Sequence, residues 1–240
     1  MGDSPGALGH LRIVDFSRVL AGPLATMILG DLGADVIKIE HPVRGDDTRA
    51  WGPPFHEGNS TYYLGLNRNK RGIALDLKQE GDRAEARRLC LSADVVVDNF
   101  RPGTMAAWGL DHSSLATERP DIISCSITGF GSTGPGSALA GYDFLVQAMS
   151  GLMSITGEVD GSPMKVGVAL VDKIAGLYAT IAILGAVESR RETGVGQQVE
   201  VSLMGGALAG LLNVGSGFVS TGQEPARHGN RHPSIAPYQI

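Results

Sequence analysis

Short segments rich in Val and Ile alternate with helical ones, which predicts an α/β protein built on a Rossmann-like, doubly wound, mostly parallel sheet. Two further observations agree. The strand-like segments are continuously apolar, as strands covered by helices on both faces must be. The 34 glycines fall mostly at the ends of apolar runs, where tight turns and close backbone approaches are needed. At 240 residues, with 42% hydrophobic and 19% charged content, the chain can bury a sizeable core.

The elements follow in order. LRIVDF (11–16) reads as the first strand, GPLATMILGDLGA (22–34) as a helix and DVIKIE (35–40) as the second strand. Residues 41–63 have no periodicity and several Pro and Gly residues, which predicts a long loop over the sheet edge, of the kind that carries function. GIALDL (72–77) is the third strand, the amphipathic DRAEARRLCLSA (82–93) a helix, DVVVDNF (94–100) the fourth strand and DIISCSITGF (121–130) the fifth. A Gly-rich loop then runs to Gly141, a helix starts near Asp143, a long helix runs from about Asp172 to Arg191, and QQVEVSL (197–203) closes the series. The Pro- and Gly-rich stretch TGQEPARHGNRHPSIAP (221–237) reads as a linker.

Composition excludes several function classes. A formal net charge of −5 offers no basic field for nucleic acid, so an anionic ligand must be met by a local cluster of Lys and Arg. Cys90 and Cys125 lie in apolar segments, the pattern of buried thiols in a reducing compartment rather than of a disulfide framework. The start MGDSPGALGH has no basic region followed by an apolar core, and Gly6 stands where a myristoylation motif needs Ser or Thr, so a cytoplasmic location is expected. The apolar stretch 169–187 contains Asp172 and Lys173, and 203–219 is broken by glycines and Asn213, so neither is expected to span a membrane.

Four constellations could carry chemistry. Gly129, Gly131 and Gly134 match a dinucleotide fingerprint in spacing, but Pro135 and Gly136 follow where its helix should begin, which argues against nicotinamide binding. Arg18 follows the first strand and precedes the helix near Gly22, a position for an anion site or for a structural cap. Arg68, Lys70 and Arg71 enter the third strand and Lys78 leaves it; Lys78 could reach a ligand at the strand's carboxyl end, and a solvated edge is the competing reading. Asp172 opens a helix, which suits a helix cap as well as a functional carboxylate, and spacing leaves both open.

The segments DFSRVLAGP, GDLGADVIKIE, RGDDTRAWGPPF, NRNKRGIALDL, DNFRPG, SITGFG, AGYD and GVALVD occur in this order. Together, and over essentially the whole chain, they resemble the family III CoA-transferases, which include formyl-CoA and succinyl-CoA-dependent dicarboxylate transferases and the related 2-methylacyl-CoA racemases. The resemblance implies a Rossmann-like large domain over 1–220, with 221–240 beginning the linker to a smaller domain, and two subunits interlocked as a homodimer. It implies CoA thioesters and small carboxylates as substrates, no permanently bound cofactor and no metal. Family members continue beyond this length, so the chain is expected to be truncated, and a CoA-binding chain without turnover is an alternative.

In the transferases the aspartate matched by the end of GVALVD attacks the thioester carbonyl, giving an aspartyl anhydride and CoA thiolate, and CoA then returns to the aspartate as a thioester. Asp172 is expected in that role. A carboxylate of ordinary pKa, about 3.9, would be ionised at neutral pH and need no general base. The resemblance places CoA contacts at Arg18, Val19, Leu20, Ala21, His41, Leu75, Lys78, Asn99, Phe100 and Arg101, with Ala140, Tyr142 and Asp143 near the thioester. Leu20 replaces a glutamine, and Ala107 and Ala140 replace basic residues, of the formyl-CoA enzyme, while RGDDTRAWGPPF is more similar to the succinyl-CoA and glutarate type. Tyr142 stands where the racemases have a histidine. A phenol with a pKa of about 10 is a poor base at neutral pH, so transfer is expected and racemisation is the alternative.

Overall fold

The computed structural model describes residues 6–238; positions 1–5 of the N-terminal reading and 239–240 of the expected linker lie outside the described residues. In chain order the elements are β1 (Arg12–Asp15), α1 (Ala21–Asp31), β2 (Asp35–Glu40), β3 (Phe55–His56), β4 (Asn59–Ser60) and α2 (Thr61–Leu64). There follow β5 (Lys70–Ala74), α3 (Glu80–Leu91), β6 (Val95–Asp98), α4 (Thr104–Ala107), α5 (His112–Ala116) and β7 (Ile123–Thr128). The chain ends with α6 (Asp143–Met149), α7 (Leu152–Ile155), α8 (Leu170–Thr193), β8 (Gln198–Ser202) and α9 (Leu203–Thr221). It divides into two units, Met1–Thr128 with Gly176–Val201, and Gly129–Ala175 with Ser202–Ile240.

The first unit holds a six-stranded sheet in the order β5-β2-β1-β6-β7-β8, which counted along the chain is the 3-2-1-4-5-6 order of a doubly wound fold. The pairs β5·β2, β2·β1, β1·β6 and β6·β7 are all parallel. Burial explains why the central strands are apolar without alternation: every residue of β6 is buried, as is all of β1 except Arg12. Val14, Ile37, Ile39 and Val96 pack with Leu89 and Cys90 of α3, Met105 of α4 and Leu115 of α5 on one face. Both cysteines are buried and free, as expected. Helix α1 stops where Gly33 takes φ +106°, with the Ala34 N–H donating to the Leu29 carbonyl, a termination that a residue with a β-carbon resists.

Two boundaries differ from the sequence reading. The third strand runs Lys70–Ala74 instead of 72–77, because its register is set by β2 from Val36↔Lys70 to Glu40↔Ala74 and pairing ends where β2 ends. Residues 41–63 are more ordered than a loop. Asp46 caps a short 3-10 turn, Asp47–Ala50, by accepting the Thr48 N–H; Glu57 and Gly58, both at positive φ, turn β3 into β4; and Ser60 caps α2. Polar side chains, not periodic apolar ones, organise this segment.

In the second unit a β-carbon on Gly129 would lie 2.5 Å from the Gly141 Cα, so the two glycines close the base of the loop between them. Helix α9 forms despite its glycines, capped by Ser202 Oγ accepting the Gly205 N–H at 3.0 Å. A β-carbon on Gly210 would come within 2.9 Å of the Ile174 side chain, so small residues let α9 pack on the first turn of α8. Beyond α9, Arg227 anchors the expected linker by donating to the carbonyls of Ser154 and Gly161 at 2.9 and 2.7 Å. Helices α8 and α9 are each long and apolar enough to cross a membrane. In α8, Val171, Ala175, Ala179, Ile183 and Ala186 are buried at helical spacing, the pattern of a core helix.

Candidate functional site

Strand order reverses between β1 and β6, so the crevice where open α/β sheets take ligands lies at the carboxyl ends of these two strands. Of the residues singled out from the sequence, Arg18, Asn99 and Phe100 come together there. Asn99, after β6, reads the backbone of Arg18, after β1, in both directions: the Arg18 N–H donates to Oδ1 at 2.9 Å, and Nδ2 donates to the Arg18 carbonyl at 2.7 Å. The Arg18 guanidinium sits 5.3 Å from the centre of the Phe100 ring and 3.7 Å from Asp47. Val19 holds φ +71°, Leu20 and Ala21 are buried, and no side chain caps the N-terminus of α1, whose first amides are therefore open to an anionic ligand. Arg101 is exposed beside them.

Three other expected positions follow the neighbouring strands β2 and β5. His41 follows β2, its Nδ1 accepting the N–H groups of Val43 and Arg44 at 3.1 and 3.3 Å, and it lines a cavity of about 410 Å³ with Arg44, Gly72 and Ile73. Leu75 is buried at the end of β5, while Lys78 lies exposed in the turn before α3, where Asp76 Oδ1 accepts its N–H.

Sequence reasoning missed four buried charges beneath these residues. Lys38 pairs with Asp46 at 2.9 Å and Lys70 with Asp15 at 3.1 Å. Lys70, read from the sequence as part of a basic edge, is 2% exposed, so the solvated-edge reading fails for it and holds for Arg68 and Arg71. Burial alone would raise the Asp15 carboxyl, but Lys70 and Lys38 hold it low, at about 2. A lysine inside an apolar strand such as DVIKIE was the signal available.

Ala140, Tyr142 and Asp172 belong to the second unit. Asp172 is the third residue of α8, and it does not cap that helix. Asp143 does, its Oδ2 accepting the Val171 and Asp172 N–H groups at 2.8 and 3.2 Å. Asp143 is steadied by buried Gln147, whose Nε2 donates to Oδ1 at 2.5 Å and whose Oε1 accepts the Val166 N–H at 2.8 Å. Among the described residues nothing donates a hydrogen bond to the Asp172 carboxyl. Burial first, and then the charge of Asp143, push its pKa up to about 7. This corrects the expectation of an ordinary, fully ionised carboxylate, since a buried acid beside a second, hydrogen-bonded acid holds its proton longer. Ala140 is exposed, and Tyr142, 60% exposed, precedes α6 in extended conformation. The capping role of Asp143 had one sequence signal, the i,i+4 spacing of Asp143 and Gln147.

The crevice of the first unit can bind an anion, and separately the second unit can offer an unusually basic carboxylate, to which no described residue donates a hydrogen bond, as a nucleophile. Comparison with known proteins agrees with the motifs. The model of CoA-transferase family III matches residues 8–240. The chain is 48% identical over 239 residues to a succinate–glutarate CoA-transferase of Agrobacterium fabrum, covering 97% of this chain and 60% of that protein. It is 47% identical over 237 residues to a succinyl-CoA:glutarate CoA-transferase of Mus musculus, covering 99% of this chain and 54% of that one. The chain thus spans only about half to three fifths of the length of these relatives. Among solved structures it superimposes on a CAIB/BAIF family protein from Brucella suis with a TM-score of 0.93 at 47% identity, over 98% of this chain and 63% of that one.

Proposed function

The chain belongs to the family III CoA-transferases, and from that premise we propose that it moves CoA from an acyl-CoA thioester to a small dicarboxylate, with Asp172 as the nucleophile. The single observation that carries this is the Asp172 carboxyl: set in the first turn of α8, made basic by burial and by Asp143, and, among the described residues, free of hydrogen bonds that attack would have to break. The names of the relatives support succinyl and glutaryl groups as the acyl classes.

The ionised Asp172 carboxylate attacks the thioester carbonyl, the C–S bond breaks, and the products are an aspartyl anhydride and CoA thiolate. The thiolate attacks the Asp172 carbonyl and expels the first carboxylate, leaving an aspartyl-CoA thioester. The acceptor carboxylate attacks that thioester, regenerating an anhydride and thiolate, and the thiolate takes the new acyl group, which frees Asp172. The overall reaction exchanges one thioester and carboxylate for another and is close to balanced, while the anhydrides lie above both ends, so the protein's task is to hold oxyanions and keep water from the anhydride. Asp143 and Gln147 position the first turn of α8, and Ala140 and Tyr142 immediately precede Asp143 in the chain. Arg18, Val19, Leu20, Ala21, Asn99, Phe100 and Arg101 take the CoA nucleotide, with His41, Leu75 and Lys78 along its edge.

We take the working unit to be a homodimer. Leu177 and Ile181 on α8, and Leu212 and Val219 on α9, are apolar and between half and mostly exposed, which favours a covering surface. Sedimentation at micromolar concentration showing only single chains would contradict it. The transfer itself is tested by supplying succinyl-CoA with isotope-labelled glutarate and reading labelled glutaryl-CoA by mass spectrometry. Hydrolysis without labelled product would overturn the proposal.

A further inference from the structure

The buried pairs Lys38–Asp46 and Lys70–Asp15 have no place in the transfer chemistry, and at 2% side-chain exposure or less no ligand reaches them. Buried ion pairs are also poor stabilisers, because desolvation offsets their attraction and apolar side chains of the same volume commonly serve as well. What charged groups have and apolar ones lack is directed hydrogen bonding. Here each of the four groups places at least one such bond on the connection from β1 to α1 or on the first turn of α1, beside others to Thr26, Thr48 and Asn67.

Lys38 Nζ donates to the Ser17 carbonyl at 2.8 Å, and Asp15 Oδ1 accepts the Ser17 N–H at 2.9 Å and its hydroxyl at 2.5 Å. Asn99 holds both backbone groups of Arg18. Asp46 Oδ1 accepts the Val19 N–H at 3.3 Å, and Lys70 Nζ donates to the Pro23 carbonyl at 2.9 Å. Val19 stands in the middle at φ +71°. A β-branched residue occupies the left-handed region only when its surroundings over-determine it, and such strain is characteristic of binding sites.

We propose that Asp46 and Lys38, backed by Lys70 and Asp15, are positioning residues for the CoA nucleotide: they hold Val19 in its left-handed conformation and so keep residues 18–21 in the form that binds. The inference rests on the reading of this crevice as the CoA site. Without the clamp Val19 relaxes to negative φ, and the Arg18 backbone and the start of α1 lose their fixed relation. Binding then carries the cost of restoring it, whereas steps after binding do not.

The test measures calorimetric binding of free CoA, and the steady-state constants, for the intact wild-type protein, Lys38→Met and Asp46→Asn. The expected result is a CoA dissociation constant and an acyl-CoA KM raised by about tenfold or more, with kcat and acceptor KM within about twofold. Adding Val19→Gly to Asp46→Asn should recover at least about threefold of that loss, because glycine adopts positive φ unaided. A purely structural role would lower the melting temperature, would move kcat and both KM values together, and would show no rescue; that pattern overturns the proposal. Asp46→Asn, close in shape to the native residue, decides the matter if Lys38→Met does not fold. Wild-type affinity in folded Asp46→Asn refutes the clamp alone, while a wild-type protein that binds no CoA refutes both the clamp and the reading of the crevice.

Discussion

Replacing Asp143 by Asn should make Asp172 a weaker base without removing it. Asp172 titrates at about 7 instead of 3.8, which at about 1.4 kcal/mol per pH unit is a preference of about 4 kcal/mol for the protonated form. Burial is the larger of its two causes and the Asp143 charge the smaller, so neutralising Asp143 removes less than half, about 1–2 kcal/mol, and the midpoint falls to about 6. The substitution also disturbs the cap. The new amide can turn its oxygen to the Val171 and Asp172 N–H groups, but its nitrogen then meets Gln147 Nε2, donor against donor, at a cost of about 1–2 kcal/mol in stability. The assay is rapid-quench measurement of CoA released from succinyl-CoA in the first turnover, across about pH 5 to 9. The wild-type rate should fall tenfold per pH unit below a midpoint at about 7, as loss of an ionised nucleophile requires. The midpoint for Asp143→Asn should lie about one unit lower, with the plateau reduced by the looser first turn. An unchanged or raised midpoint in the variant would refute the coupling of the two carboxyls.

Three further outcomes follow from the same contacts. Because the folded pKa of Asp172 lies above its unfolded value, the protonated carboxyl favours the folded state below about pH 4, and that contribution is lost as pH rises through about 7. Asp172→Asn should therefore gain on the wild type, by up to about 4 kcal/mol between pH 4 and 8, in denaturant titrations at the two pH values. If the proposed CoA site is right, Arg18→Ala should raise the acyl-CoA KM by about tenfold with little change in acceptor KM in steady-state assays, since its guanidinium is exposed and makes only a long ion pair and the Phe100 ring contact within the fold. Gly129→Ala should lower stability by about 1–3 kcal/mol in thermal unfolding, because its β-carbon would meet backbone at Gly141 and not a side chain that can move.

Continuous apolar segments such as DVVVDNF fixed the sheet in advance, because a strand buried on both faces leaves that pattern whatever its neighbours are. The switch-point residues were also legible, since Arg18 and Asn99 each follow such a strand directly and strand order then brings them together. Lys78 was placed correctly at a carboxyl end although its strand was drawn too far, for register depends on β2, which local sequence does not encode. The order within residues 41–63 was invisible to periodicity, because Asp46, Ser60 and the Glu57-Gly58 turn work through single polar bonds. The basicity of Asp172 was hidden for a related reason. It depends first on burial and then on Asp143, 29 residues away in sequence, which takes the capping role that position alone suggested for Asp172.

The central claim, that Asp172 is the acyl acceptor, is tested most directly by trapping the enzyme with hydroxylamine after exposure to succinyl-CoA and mapping its peptides by mass spectrometry. The account predicts hydroxamate at Asp172, dependent on succinyl-CoA and absent from Asp172→Asn. Full transfer activity in that variant, or modification at another residue with Asp172 untouched, would contradict it.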